Sequence, residues 1–183
     1  MKIATSILIV IAIVLTSCTQ TNKDSKKALE FYNLVNEQIG MGKPYQQKFI
    51  DKMTSSLQSI RDNENALIDT AELQSLFKLA NMKNLERQSN LKSIIEFDTI
   101  INYKSAVINY FKSYNNFYQI EIPQSILVLA EKNNNRFKRI EALLVPKLKI
   151  IKGRDLQLKE LQEVFKKKYN INSDLQIETP NWF

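Results

Sequence analysis

Histidine is absent from the 183 residues and cysteine occurs once. There is no imidazole for acid–base catalysis, no His/Cys cluster for a transition metal and no second thiol for an internal disulfide. Three glycines and four prolines are as scarce. An all-β fold takes turn residues about every 8–12 positions, and this chain does not have them. The patterns G-x-x-x-x-G-K-[ST], G-x-G-x-x-G and G-x-S-x-G are missing, as is a D-x-[DN]-x-[DN]-G calcium loop. S-x-x-K occurs at Ser75–Lys78 and Ser89–Lys92, without a companion K-T-G and in a chain rich enough in lysine to make the pattern cheap. No catalytic residue, metal site or cofactor is expected, and the chain reads as a non-enzyme.

What is present begins with an address. Lys2 precedes a run from Ile3 to Leu15 made mostly of Ile, Val, Leu and Ala. Thirteen residues fall short of the roughly 20 that span a bilayer, and match the apolar core of an export signal. The run closes on Leu15-Thr16-Ser17-Cys18. This resembles the lipobox of bacterial lipoprotein precursors, with Leu at −3, small residues at −2 and −1, and Cys at +1. The resemblance implies cleavage between Ser17 and Cys18, a diacylglycerol on the Cys18 sulfur and an acylated new amine. The membrane is then a partner through those chains, two or three of which hold far more firmly than the marginal single myristoyl. Thr19, rather than Asp, follows the cysteine, which by the same resemblance implies the outer membrane.

Residues 1–17 are thus read as a signal peptide and 18–27 as the lipidated cysteine with a flexible tether, since Thr19–Lys27 contains no large apolar residue. From Ala28 the apolar residues take helical spacing: Ala28, Phe31/Tyr32, Val35 and Ile39. Gly40–Pro44 interrupts them, and Tyr45, Phe49, Met53, Leu57 and Ile60 resume, predicting two segments with Pro44 in the first turn of the second. Asp69, with Glu72 three residues on, marks a helix start. Apolar density falls over Asn81–Asn90, predicting a loop or weak joint, and a helix is expected over 89–118. A turn at 119–122 precedes a helix from Pro123, whose stripe runs through Ile126, Asn133, Phe137 and Ile140. Pro146 and Lys152-Gly153-Arg154 should break that stripe, with Asp155 capping a last helix that ends near Asn170.

The expected fold is all-α: an antiparallel up-and-down bundle of about four long helices over residues 28–170, with an extended tail at 171–183. In composition and architecture this mature part is similar to small uncharacterised α-helical surface lipoproteins of bacteria, with Ala28-Leu29-Glu30-Phe31-Tyr32-Asn33 as the local match.

Two features could carry binding. Residues 132–168 hold 12 basic and 4 acidic side chains, while residues 23–131 are balanced. Lys138, Arg139, Lys147, Lys149 and Lys152 are the candidate docking face for an anionic lipid or glycan, or for an acidic envelope protein; the bland alternative is a solvated helix face. Nucleic acid is not expected as a partner of an exported chain. Seven aromatics fall in residues 97–118. They read first as core; alternatively Tyr103, Tyr110 and Tyr114 line a groove for an apolar ligand, making the protein a carrier, with Tyr103 and Tyr110 the most exposed. The leading expectation is a lipid-anchored helical interaction module.

Overall fold

The computed structural model describes residues 24–173, and all regular structure among them is α-helical. Helix α1 covers 24–41, and a one-residue turn at Gly42 separates it from α2 (Lys43–Asp62), which has Pro44 in its first turn. Helix α3 runs Thr70–Ser93, α4 Tyr103–Gln119, α5 Glu121–Ala130 and α6 Arg136–Tyr169. Because α1 meets α2 at Gly42 and α4 meets α5 at Ile120, the six segments form four rods.

The rods alternate in direction. Asn90 reaches Gln38 while Lys52 pairs with Glu72, so α3 runs back along α1 and α2. Gln88 and Asn84 meet Asn115, and Phe77 meets Tyr118, which sets α4 antiparallel to α3. Tyr103 stacks on Phe165 and Glu121 pairs with Lys147, which sets α6 antiparallel to α4 and α5. Gln162 of α6 donates to the Tyr32 hydroxyl of α1 at 2.6 Å, closing the ring. The result is an all-α, up-and-down, four-rod bundle, each rod burying one face that is apolar except at Asn84, Arg87 and Gln88 of α3 and scattered polar positions elsewhere.

Local chemistry explains the elements. Asp69 caps α3 by accepting the Glu72 N–H at 3.0 Å. Residues 24–27, expected in the tether, already belong to α1: Asp24 and Ser25 are half-buried, while Lys26 and Lys27 lie on the outer face of a helix whose Ala28, Phe31 and Tyr32 are buried. The weak joint expected at 81–90 is continuous helix, because Asn84, Arg87 and Gln88 are buried there in place of apolar residues. The single helix expected over 89–118 is broken by a loop at 94–102. There Asp98 accepts the N–H groups of Ile100 and Ile101, and Glu96 accepts those of Lys104 and Ser105, capping α4.

The later boundaries also differ from expectation. Ile122 is helical and fully buried, and Pro123 is the third residue of α5, where a backbone donor has no helical partner anyway. Asn133 sits exposed in the 131–135 connector, not on a stripe. Pro146 and Gly153 do not interrupt α6. Both lie on its outer face, where water serves the backbone, while Leu144, Ile151 and Leu158 hold the inner face. Asp155 is accordingly a buried mid-helix residue, not a cap. At 34 residues, α6 is about 50 Å long at 1.5 Å per residue. It stops at Asn170 in the left-handed conformation, φ 51°.

Candidate functional site

Tyr103, Tyr110 and Tyr114 are all buried, as are Phe111, Phe117 and Tyr118. The expectation that Tyr103 and Tyr110 would be exposed is therefore corrected: the stripe faces the bundle axis, where it meets rings from other rods. Tyr103 stacks on Tyr32 and Phe165 with centroids 5.8 and 5.4 Å apart, and its hydroxyl donates to Asn36 at 3.0 Å. Burial pushes its phenol far above the ordinary range. Tyr110 and Tyr114 pack edge to face, with their hydroxyls 3.4 Å apart. These rings are enclosed by protein, and Tyr110 in addition borders a depression between α4 and α6.

A polar layer that sequence reasoning missed lies midway along the bundle. Arg87 of α3 is 2% exposed. Its Nε and Nη2 donate to Asn84 Oδ1 at 3.1 and 2.8 Å, and Nη2 also reaches Gln46 at 3.3 Å. The guanidinium carbon sits 4.0 Å from the centre of the Phe111 ring. Asn115 of α4 exchanges hydrogen bonds with Gln88 at 2.8 and 2.9 Å. Burial lowers the Arg87 pKa, opposed by Tyr118, Tyr110 and Tyr114, although an arginine stays protonated under such conditions. Gly42 makes the layer fit, because a β-carbon there would stand 2.9 Å from Arg87 Nη1. The one available signal was a polar triplet at positions 84, 87 and 88, whose spacing keeps them on one helix face.

A second arginine ties the end of the bundle away from residue 24. Arg136, 5% exposed, donates to the carbonyls of Leu129 and Ala66 at 2.9 Å each and to that of Glu64. It fastens the α2–α3 connector and the last turn of α5 to the start of α6. At the opposite end Asp98 is the latch. Its Oδ2 accepts from Lys168 Nζ at 2.6 Å and from the Tyr169 hydroxyl at 2.8 Å. Burial alone would raise the Asp98 pKa, but Lys168, the Ile101 N–H, Tyr169 and the Ile100 N–H outweigh it and hold the carboxyl well below its ordinary 3.8.

A depressed folded-state pKa means that Asp98 stabilises the bundle above the unfolded value and stops doing so as pH falls through the folded one. Asp98→Asn is therefore expected to cost about 2 kcal/mol at pH 7, discounted for the exposed Lys168. The gap from wild type should narrow as pH drops below about 4. Urea melts at pH 7 and pH 3 check this; an equal gap at both would show that the carboxylate's charge is not what matters.

The five basic candidates do not share a face. At about 100° per residue, Lys138, Lys149 and Lys152 fall together on the outer side of α6, and all three are exposed. Arg139 turns toward α5 and pairs with Glu131. Lys147 lies near the core side, 3.3 Å from the buried Glu121 in the first turn of α5. Those two are spent on intramolecular pairs. Near them, a surface groove of about 520 Å³ between α5 and α6 is lined by Leu127, Val128, Ala142 and Leu143, with Arg139 and Glu131 on its wall. A second depression of about 290 Å³ lies between α4 and α6 and is touched by Tyr110.

Ser75 and Lys78, and Ser89 and Lys92, are exposed on α3. Among the described residues no group of three or more His, Cys, Asp or Glu could hold a metal, and no helix is long and apolar enough to cross a membrane. Ser17, Cys18 and the rest of the expected signal peptide, and residues 174–183 of the expected tail, lie outside the described residues. The fold thus defines a closed, four-rod helical bundle. No family model, curated protein or solved structure matches the chain.

Proposed function

We propose that this chain is a lipid-anchored, non-enzymatic cell-envelope protein, attached to the outer membrane through Cys18, and that it acts as a helical interaction module. The observation that carries the reading is the run Leu15-Thr16-Ser17-Cys18, followed within six residues by a bundle whose apolar stripes are consumed internally. Such a body has no need of a bilayer for its own stability, and the acyl chains would supply the attachment. Cys18→Ser, or globomycin treatment, is expected to abolish lipid labelling and to leave an unprocessed precursor. Unchanged processing and detergent partitioning would overturn the anchor.

The interaction half of the proposal rests on what the rods show to solvent. Three lysines, Lys138, Lys149 and Lys152, form the outward strip of α6 along the side of the bundle, suited to an acidic envelope protein. Reversing all three charges should weaken capture of an acidic polypeptide probe such as polyglutamate by the lipid-free chain about tenfold in low salt. Titration of the probe against the Lys138/Lys149/Lys152→Glu triple variant tests this, and unaltered binding removes the strip from consideration. The carrier alternative finds less support, since Tyr103, Tyr110 and Tyr114 are buried and of the three Tyr110 is the one that borders the depression between α4 and α6.

A further inference from the structure

We propose that the bundle stands end-on upon the bilayer that holds its anchor, with the loop at 94–102 seated in the headgroup boundary through Ile95 and Ile100. The inference rests on the lipid-anchor reading of Cys18 and adds to it an orientation and a contact surface.

Three observations converge on this end. Ile95 and Ile100 are 86% and 85% exposed, two large apolar side chains turned outward on one nine-residue loop. That loop is braced: Asp98 holds the Ile100 and Ile101 N–H groups and Glu96 holds those of Lys104 and Ser105. The isoleucines are therefore displayed by fixed backbone, and exposing them without a partner gains nothing in water.

The second observation is position. Phe97 packs on Phe31 of α1 at 5.9 Å and on Tyr169 of α6 at 5.2 Å, so the loop shares an end with the start of the described α1. From Cys18 to Asp24 is a step of six residues, which spans at most about 20 Å even if fully drawn out. Acyl chains in a leaflet therefore hold this end, not the other, against the surface. The opposite end is about 50 Å away along α6.

The third is charge. Lys27, Lys92 and Lys167 are exposed around the same end. Lysine flanking an apolar tip is the pattern that an interface of acyl chains and anionic headgroups accepts.

The test uses the full lipidated chain in vesicles of phosphatidylethanolamine and phosphatidylglycerol. An environment-sensitive fluorophore is placed on Ile100→Cys or, at the far end, on Leu67→Cys; acylation leaves the introduced thiol as the reactive one. Both sites are more than four-fifths exposed, so labelling should not disturb the fold. Doxyl-lipid quenchers should quench the label at 100 about threefold more than the label at 67, consistent with seating 5–10 Å deep. Ile95→Asp in the same molecule should erase that difference. Equal quenching at the two positions, as for a bundle lying on its side, overturns the proposal. So does a label at 100 that is shielded without vesicles and unquenched with them, which would mean that residues 174–183 cover the loop. Flotation separates the two readings: chains that float but show no selective quenching refute only the orientation, whereas chains that do not float refute the anchor as well.

Discussion

Phe165→Ala is expected to cost about 4 kcal/mol, the largest loss of any single truncation considered for this bundle. Phe165 is fully buried on α6 and touches five rings: Phe31 at 5.6 Å, Tyr32 at 6.2 Å, Phe97 at 6.4 Å, Tyr103 at 5.4 Å and Tyr169 at 4.9 Å. These come from α1, α4, α6 and the 94–102 loop, so no single neighbour can relax into the space. The loss then includes the cavity as well as the transfer of the ring. At about 2–4 °C per kcal/mol for a chain of this size, the melting midpoint should fall by about 12 °C. Thermal circular dichroism on the chain from Thr19 onward measures it, with Phe165→Leu recovering part of the drop. A shift under about 3 °C would mean that the five-ring cluster is not the centre of the core at the 94–102 end.

Arg87→Ala is expected to cost about 3–4 kcal/mol, for a different reason. The side chain fills space beside Phe111, and its removal strands the Asn84 and Gln46 oxygens that accept from it. Arg87→Met is the informative companion. It restores most of the volume without the desolvated charge, and buried charges replaced by apolar side chains of similar size often lose little stability. It should therefore recover at least half of the loss. Gly42 supplies a second check, because its added β-carbon would press on Arg87 Nη1 at 2.9 Å. Gly42 has right-handed helical backbone, so Gly42→Ala should stabilise the Arg87→Met variant by about 0.5–1 kcal/mol and wild type by less, because the added β-carbon crowds Arg87 there. Additive effects of the two changes would show that the close approach carries no energy.

The parts of the fold legible in the sequence were those in which apolar spacing and local chemistry agreed. Ala28 to Ile39 and Phe49 to Ile60 form the buried stripes they predicted, with Tyr45 half-buried, Asp69 caps α3, and α6 ends at Asn170. Errors arose where tertiary contacts replaced a local signal. Residues 84–88 look weakly helical when only hydrophobic residues are counted, because their buried face is polar and finds its partners on α2 and α4. The loop at 94–102 hides in a run of helix-spaced Ile and Phe, since its two capping carboxylates act through space and not through periodicity. Pro146 and Gly153 read as breaks because the sequence does not tell which helix face is wet.

The scarcity of glycine carried a lesson of its own. It rightly argued against β-structure, but it did not mean that left-handed backbone was absent. All three described positive-φ residues are asparagines, Asn102, Asn135 and Asn170, at 54°, 75° and 51°, each at a helix boundary. Asparagine tolerates that region better than other residues with a β-carbon. The binding surfaces were harder to read than the fold. Charge count grouped five cations that the helix separates, and hydrophobic count could not tell a core tyrosine from a groove tyrosine.

Four rods of similar build could slide past one another by a turn and still cover much apolar surface. The arginine layer at mid-height and the Tyr32–Asn36–Tyr103–Gln162 cluster nearer the 94–102 loop oppose this. Any slipped pairing that misaligned either one would leave buried polar groups stranded, so the two polar levels act as notches that admit one alignment of the rods.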